Sequence, residues 1–432
     1  MDANYRDYLP FDFANYLFSL TQSHWTAQEL SGGNANHVVR AVQTRPRPPA
    51  NPVIPNHGLP AAATGDDSDN GQASNIARRI LTYRTIVLKQ APPYFAKFPD
   101  FAFSQRRQFV EAQALRLFRA DRHLSDVLTR NPSIDVPLLL HHDEAQHVLI
   151  QSDLGSHMTL DKFLACPSTT AESAAVAGRH LGQFLADLHH AYDSDSNALA
   201  PGSDLHASLA NEDAETVMQG VIANATRFMK AAGVSDYEEL GERALQHWMG
   251  RKKTAFSQGD IWFGTIMVDP SAGWDSDAPA LKICDWEFAG PNEPAADIAQ
   301  LGAYLHLSSL SSLRTTPSLP VLDVFSSSLY TLYSTSSPPF RTVHEMREFQ
   351  RSVLIMHGWE LVNAAAWRHG LWCDCPGAEV KCEHIKAMIW EGVKLLRAVG
   401  QPDDEMEEML GENVHWFSAF WRSMDDRLVS LG

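Results

Sequence analysis

The sequence predicts an α+β protein with a small, antiparallel, β-rich N-lobe and a larger, mainly helical C-lobe. Three observations predict it. The length of 432 residues exceeds what one hydrophobic core usually serves, so two lobes sharing a cleft are expected. Short β-branched runs such as Thr85 to Lys89 fall in the first third of the chain. Later, apolar residues repeat at helical spacing, as at Leu181, Phe184, Leu185 and Leu188. A connection at Asp153-Leu154-Gly155 sets the boundary between an N-lobe, 1–153, and a C-lobe, 154–432.

Taken in order, Tyr8 to Leu20 reads as a helix, and the Gly32-Gly33 turn begins a strand pair. Pro46, Pro48, Pro49, Pro52, Pro55 and Pro60 then crowd a segment that continues into Gly65-Asp66-Asp67-Ser68-Asp69. Neither a helix nor a sheet ladder tolerates that density of proline, so 45–75 is expected to be an exposed insertion. Thr85 to Lys89 is a strand, Arg106 to Phe118 a helix, and His147 to Ser152 the strand that reaches the connection. Thr169-x-x-Glu172 has the form of a capping box ahead of the Leu181 stripe, and His189 at the end of that stripe reads as a hydrogen-bonded packing residue. Ser308 to Pro339, rich in Ser, Thr and Pro, is expected to be an exposed loop or frayed helix. Glu345 to Gly370 and His384 to Val399 are C-terminal helices, with an acidic connection at Asp403 to Glu408. No internal repeat is found.

Composition removes several classes of function. Hydrophobic content of 44% and charged content of 20% are those of a globular protein. A net charge of −17 repels nucleic acid and anionic lipid, and no basic run offsets it. The N-terminus lacks the basic and apolar regions of a signal peptide, and no run is long enough to cross a bilayer. Five cysteines in such a chain make no disulfide framework. A cytoplasmic protein is expected, with neither nucleic acid nor membrane as a partner.

The chemistry concentrates between Phe256 and Asp297. Gln258-Gly259-Asp260-Ile261-Trp262-Phe263-Gly264-Thr265 is followed by an apolar run, a short turn, and Leu281-Lys282-Ile283-Cys284-Asp285-Trp286-Glu287. Phosphoryl transfer needs one carboxylate to orient the attacking hydroxyl and others to hold Mg²⁺ on the triphosphate. Asp260 suits the first task. Asp285 and Glu287, two apart at a predicted strand end, suit the second, since hard oxygen ligands on one face fit Mg²⁺. Asp297 is read as a cap or a brace for the Asp260 loop. Upstream, Lys89 lies mid-strand with Val87 on its face, and Glu111 on the next helix is its candidate partner. Gly32, Gly33, Asn34 and Asn36 form a turn whose backbone can approach phosphates closely. Ser152 and Asp153 stand at the connection, where the nucleotide site is expected.

These segments, four in the same order, resemble the aminoglycoside/choline kinase superfamily, over roughly residues 30 to 300. Within it the chain is most similar to 5-methylthioribose kinase and to fungal metabolite kinases of the hydroxytryptamine kinase type. The resemblance implies a bilobal protein-kinase-like fold, ATP and Mg²⁺ as cofactors, and a role for Lys89 and Glu111 at the α- and β-phosphates. It also makes Thr265 a metal-site residue, where the superfamily more often has Asn and the methylthioribose kinases have a small hydroxyl residue. Gln258 stands where the superfamily usually has His. Methylthioribose kinases carry paired arginines on a C-terminal helix, and here only Arg351 of Arg351-Ser352 matches, which argues against that sugar. No His-Arg-Asp-Leu, Asp-Phe-Gly or Ala-Pro-Glu segment is present, so a peptide acceptor is not expected.

The sequence-level expectation is therefore an ATP- and Mg²⁺-dependent phosphotransferase acting on a hydroxyl of a small molecule, either a methylthioribose-like sugar or a hydroxylated metabolite or amine. The alternative is a catalytically silent member that binds nucleotide or metabolite as a regulator. Arg351, Trp359 and Arg368 are the candidate substrate residues, with Trp367 and Trp372 near the same helix. Cys373, Cys375, Cys382 and His384, spaced C-x-C-x6-C-x-H, form a candidate structural Zn²⁺ site of unusual spacing, with unmetallated cysteines as the alternative. A homodimer is left open.

Overall fold

The structure, a computed structural model, describes residues 11–30, 33–44, 69–155, 157–195, 197–271, 280–311, 319–337, 340, 342–374, 380, 382–403 and 405–406. It divides into two compact units, Met1–Ala112 with Pro137–Gly155, and Gln113–Val136 with Ser156–Gly432. The chain begins with α1 (Phe13–Thr21), β1 (Trp25–Glu29), β2 (His37–Gln43), α2 (Asp69–Ile80), β3 (Thr85–Gln90), β4 (Tyr94–Phe95) and β5 (Phe98–Ala102). Next come α3 (Arg106–Ala120), α4 (Arg122–Arg130) and β6 (Ile134–Asp135), before β7 (Leu139–Asp143) and β8 (Val148–Ser152) complete the first unit. The second unit continues with β9 (Met158–Thr159), α5 (Leu160–Ala165), α6 (Ala171–His189), α7 (Asp204–Ser208), α8 (Glu212–Ala231) and α9 (Tyr237–Gly250). Four short strands follow: β10 (Ala255–Ser257), β11 (Ile266–Val268), β12 (Leu281–Ile283) and β13 (Gly290–Asn292). The last helices are α10 (Pro294–Leu310), α11 (Leu319–Ser336), α12 (Val343–Trp367) and α13 (Glu383–Ala398).

The first unit is built on a five-stranded sheet in the order β1-β2-β3-β8-β7, antiparallel at every step. Ile86 and Leu88 of β3 join Trp25, Val39, Ala41, Val148 and Ile150 in one core, capped by Phe13 and Leu17 of α1. The alternation of β3 sends Val87 and Lys89 to the opposite face, yet both are buried as well. The second unit is mainly helical. The expected α+β architecture is thus what the chain adopts.

Three expectations are corrected. Residues 45–68 of the predicted insertion lie outside the described residues, but 69–75 are the first turns of α2 and not loop. The last proline of the run is Pro60, and Ile76 and Ile80, at i,i+4, pack against the sheet core. The cap of α6 sits one residue later than expected: the Thr170 hydroxyl accepts from Ser173 N at 3.1 Å, and Thr170 N donates to Ser173 Oγ at 3.1 Å. The Ser/Thr-rich stretch is the largest departure. Its residues 319–336 form α11, whose Leu322, Phe325, Leu329, Tyr330 and Tyr333 are buried. Gly178 and Gly182 of α6 face it so closely that a Cβ at either would stand 2.3 Å from a carbonyl oxygen of Phe325 or Leu329. Small side chains on one helix let the other lie against its backbone, a fit that a polarity count cannot register. No helix among the described residues is long and apolar enough to cross a membrane.

Candidate active site

The loop after β10 is held by several specific contacts. Its entry is fixed by pairing of Ser257 with Gly290 of β13. Gly259 takes a left-handed backbone (φ 86°), and a Cβ there would meet Phe288 O at 2.2 Å, so only glycine fits the turn. The buried Gln258 side chain ties two acids together: its Oε1 accepts from Asp260 N at 2.8 Å, and its Nε2 donates to Asp285 O at 2.6 Å. The backbone N–H groups of Gln258 and Gly259 each donate to the Asp297 carboxylate at 2.9 Å. His189, fully sequestered, contacts that carboxylate through Nε2 at 3.1 Å and the Tyr333 hydroxyl through Nδ1 at 2.9 Å. The packing role expected for His189 is what it performs, and Asp297 is the loop's brace.

Asp260 itself accepts a hydrogen bond from Gln300 Nε2 at 2.7 Å and has no ion pair among the described residues. Burial pushes its pKa up to about 6; Arg368 opposes that rise, and the nearby Asp285 and Asp297 add to it. Such an acid is ionised at neutral pH while still able to take a proton, which is the property a general base needs. Arg368 follows the last residue of α12, with its guanidinium 3.9 Å from the centre of the Trp262 ring and 5.7 Å from that of Tyr304. Trp359 and Glu360, one turn from the middle of α12, line a hollow with Gly259 and Gln300.

Asp285 lies beyond the end of β12 in a left-handed conformation (φ 66°), so the strand alternation expected to align it with Glu287 does not apply. The residue between them does the positioning instead: Trp286 is fully buried, packs edge-on against Phe118 at 4.6 Å and donates to Ile283 O at 2.9 Å. A non-glycine residue held at positive φ beside the Asp260 loop is the kind of strained position that functional sites retain. The Thr265 hydroxyl is engaged inside its own turn, donating to Trp262 O at 2.9 Å and accepting from Trp262 N at 3.2 Å. Among the described residues, no group of three or more His, Cys, Asp or Glu gathers as a metal cage. Mg²⁺ does not require one, since it is commonly held by one or two carboxylates with phosphate oxygens.

In the first unit Lys89 Nζ meets Glu111 Oε1 at 2.6 Å, with side chains 7% and 1% exposed. Gly32 lies outside the described residues, and a Cβ on Gly33 would meet nothing within 4 Å. The Asn34–Asn36 turn is held by the buried Arg107, whose Nε donates to Asn36 Oδ1 at 3.1 Å and whose Nη2 donates to Ala35 O at 2.9 Å. Ser152 Oγ accepts from Leu138 N at 2.9 Å, and Asp153 pairs with Arg40 at 2.5 Å.

Two groups of candidates are placed elsewhere. Arg351 donates to Val399 O, to Gln401 O at 2.9 Å and to Asp403 at 2.5 Å, clamping the end of α13, and it does not line the hollow. The zinc reading is corrected. Cys373 is disulfide-bonded, which removes the thiolate that Zn²⁺ would need, Cys375 lies outside the described residues, and Cys382 and His384 alone cannot make a tetrahedral site. Residues not anticipated are Gln300, Arg107 and Glu360. Glu360 carried a signal, a lone acid within the apolar run from Val353 to Ala366.

No family model matches the chain. Its sequence is 26% identical over 226 residues to 4-hydroxytryptamine kinase of Psilocybe cyanescens, covering 50% of this chain and 58% of that protein. To the 4-hydroxytryptamine kinase of Psilocybe cubensis it is 25% identical over 223 residues, covering 50% and 59%. The chain therefore spans less than two thirds of the curated relatives it matches. Among solved structures, choline kinase from Cryptosporidium parvum Iowa II aligns with a TM-score of 0.44 at 11% identity, covering 91% of this chain and 93% of that one. A choline/ethanolamine kinase family protein from Mesorhizobium loti aligns at 0.40 and 14% identity, covering 92% of each. By sequence, the chain is similar over half its length to 4-hydroxytryptamine kinases, the hydroxytryptamine kinase type of the aminoglycoside/choline kinase superfamily that its motifs resemble.

Proposed function

We propose that the chain is a small-molecule kinase that transfers the γ-phosphoryl group of ATP to a hydroxyl of a small acceptor. The observation that carries this reading is the Gln258 bridge, which sets Asp260 beside Asp285 while Asp297 holds the loop's backbone. Asp260 would orient the acceptor hydroxyl and take its proton as the oxygen bonds to the γ-phosphorus and the bond to the β-phosphate oxygen breaks. Asp285, with Glu287 as a second oxygen donor, would hold Mg²⁺, which would neutralise charge on the phosphates. Lys89, paired with Glu111, is the candidate for the α- and β-phosphates. The glutamine at position 258 does not weaken this reading, since its amide supplies both bonds a bracing residue must make.

A direct test is ADP release with Mg²⁺ and ATP over a panel of hydroxylated amines and sugars, 4-hydroxytryptamine included. Turnover that disappears in Asp260→Asn supports the kinase. Nucleotide-dependent melting shifts without turnover on any acceptor would replace it with the silent binding module.

A further inference from the structure

The loop that carries Asp260 is held along one face of α10, and the order of contacts follows the order of the loop. Asp297, Gln300 and Tyr304 stand at i, i+3 and i+7, a spacing that puts three side chains on one side of a helix. Asp297 takes the backbone N–H groups of Gln258 and Gly259. Three residues on, Gln300 Nε2 donates to Asp260 Oδ1 at 2.7 Å. One turn further, the Tyr304 ring stands 5.5 Å from that of Trp262 and 5.8 Å from that of Phe263. The start of the turn, its acid and its far end are thus matched, in sequence order, to about 10 Å of one helix.

The contacts at the two ends fix backbone and rings, not the carboxylate. Asp297 reaches main-chain groups of the loop. Trp262 lies against Gly264, where a Cβ would stand 2.5 Å from the ring, and the Arg368 guanidinium covers it at 3.9 Å. What these leave free is the last torsion of the Asp260 side chain, which is broad and nearly two-fold in a carboxylate. Gln300 supplies the one hydrogen bond that this carboxylate accepts among the described residues. Lone pairs of a carboxylate lie in its plane, so a donor on Oδ1 also fixes the directions in which Oδ2 can accept. The chemistry of the donor suits the task. A Lys or Arg here would fix the plane too, but its full positive charge would oppose the proton that Asp260 has to take. An amide orients the group while staying neutral.

We propose that Gln300 is the positioning residue for phosphoryl transfer at Asp260: its amide holds Oδ1 and so presents Oδ2 to the acceptor hydroxyl. The inference rests on reading Asp260 as the acceptor-activating acid, and it adds which oxygen takes the proton and what turns that oxygen to face the substrate. As the acceptor O–H bond breaks, its proton passes to Oδ2 and the acceptor oxygen bonds to the γ-phosphorus. The bond from that phosphorus to the bridging oxygen breaks, and ADP leaves with the electron pair. Gln300 neither gains nor loses a proton. Its effect on rate runs through the carboxylate alone.

The test is a cycle of variants in which ADP release is followed with Mg²⁺, ATP and the same panel of hydroxylated amines and sugars. Gln300→Leu removes the donor, and Gln300→Glu keeps the shape but offers a second carboxylate. Each should lower kcat by roughly 10- to 100-fold, the scale of a misplaced reacting group, with KM for ATP and calorimetric Mg²⁺·ADP affinity within about twofold of wild type. In an Asp260→Asn background either change should cost less than about twofold more, because a residue acting through the carboxylate then has no base left to orient. Should Gln300→Leu fail to fold, Gln300→Glu and its double variant carry the same comparison. Losses below about threefold in the single variants, or the same fractional loss with and without Asp260, overturn the proposal and leave Gln300 a packing residue. Absence of turnover by wild type on every alcohol removes the kinase reading, and this role falls with it. Undiminished turnover in the Gln300 variants removes this role and leaves the kinase standing.

Discussion

Each of the two units takes a carboxylate out of water, and the two are treated in opposite ways. In the first unit Glu111 is buried against Lys89 at 2.6 Å, and the pair sits on a strand covered on both faces. In the second, Glu360 is buried on α12 with no counter-ion among the described residues, and Asp260 accepts from the Gln300 amide. Desolvating a charge is expensive in both settings, but an ion pair offsets the cost and apolar surroundings do not. A satisfied pair is a part that has been preset. An acid left without a cation instead keeps a raised pKa, as Asp260 and Glu360 do. The contrast therefore separates groups that position from groups that bind or react.

That division can be broken experimentally, beginning with the largest effect. If Asp260 is a reacting group and not a structural one, Asp260→Asn should lower kcat by roughly 10²- to 10⁴-fold while the melting temperature stays level or rises. A melting temperature that falls with activity would put Asp260 in the structural class. For the preset pair the opposite pattern is expected. Lys89→Met leaves Glu111 buried without its ammonium and should cost about 3–5 kcal/mol in denaturant unfolding, with Lys89→Met/Glu111→Leu recovering much of it. If the double variant is no better than the single one, the pair is not coupled as its geometry states.

A third measurement sharpens the comparison through pH. The Glu360 pKa is raised in the folded protein from an ordinary 4.5 to about 8, so between those values the native state binds more protons than the unfolded state. Stability contributed at this residue is present below pH 4.5 and lost as pH rises toward 8. Wild type and Glu360→Gln should accordingly melt alike near pH 5, and wild type should fall behind by pH 8. A gap that narrows with rising pH would show that Glu360 has a cation after all. The smallest effect concerns rate. Since Asp260 must be ionised to accept a proton and its pKa stands at about 6, kcat/KM should be flat above pH 7 and fall up to tenfold per unit below 6. A profile that stays flat to pH 4.5 would place the base elsewhere.

Much of the candidate site was legible because it is written in short, contiguous segments. Gly259 and Asp260 mark a turn that only glycine can make next to an acid, and Lys89 lies on a strand whose alternation puts it opposite the core residues Ile86 and Leu88. Other features were misread because local composition and tertiary surroundings disagree. The serine-rich α11 looks solvent-exposed until Gly178 and Gly182 are seen against its backbone. Arg351 reads as a sugar-gripping arginine until its partners at the end of α13 are known. Cys373 reads as a zinc ligand until its disulfide is taken into account. Glu360 was passed over because one acid in an apolar helix does not by itself tell whether it is paired.

By itself the sequence determined what depends on neighbours along the chain: the period of each helix and strand, the glycine the Asp260 turn demands, and the order of the phosphate-handling segments. Backbone sterics and side-chain periodicity act over a few residues, so they can be read without coordinates. Only the tertiary structure decided which charges found partners. Pairing joins residues as far apart in sequence as Gln258 and Asp297, or His189 and Tyr333, and the free energy of a buried charge is set by whichever groups the fold brings within a few ångströms of it.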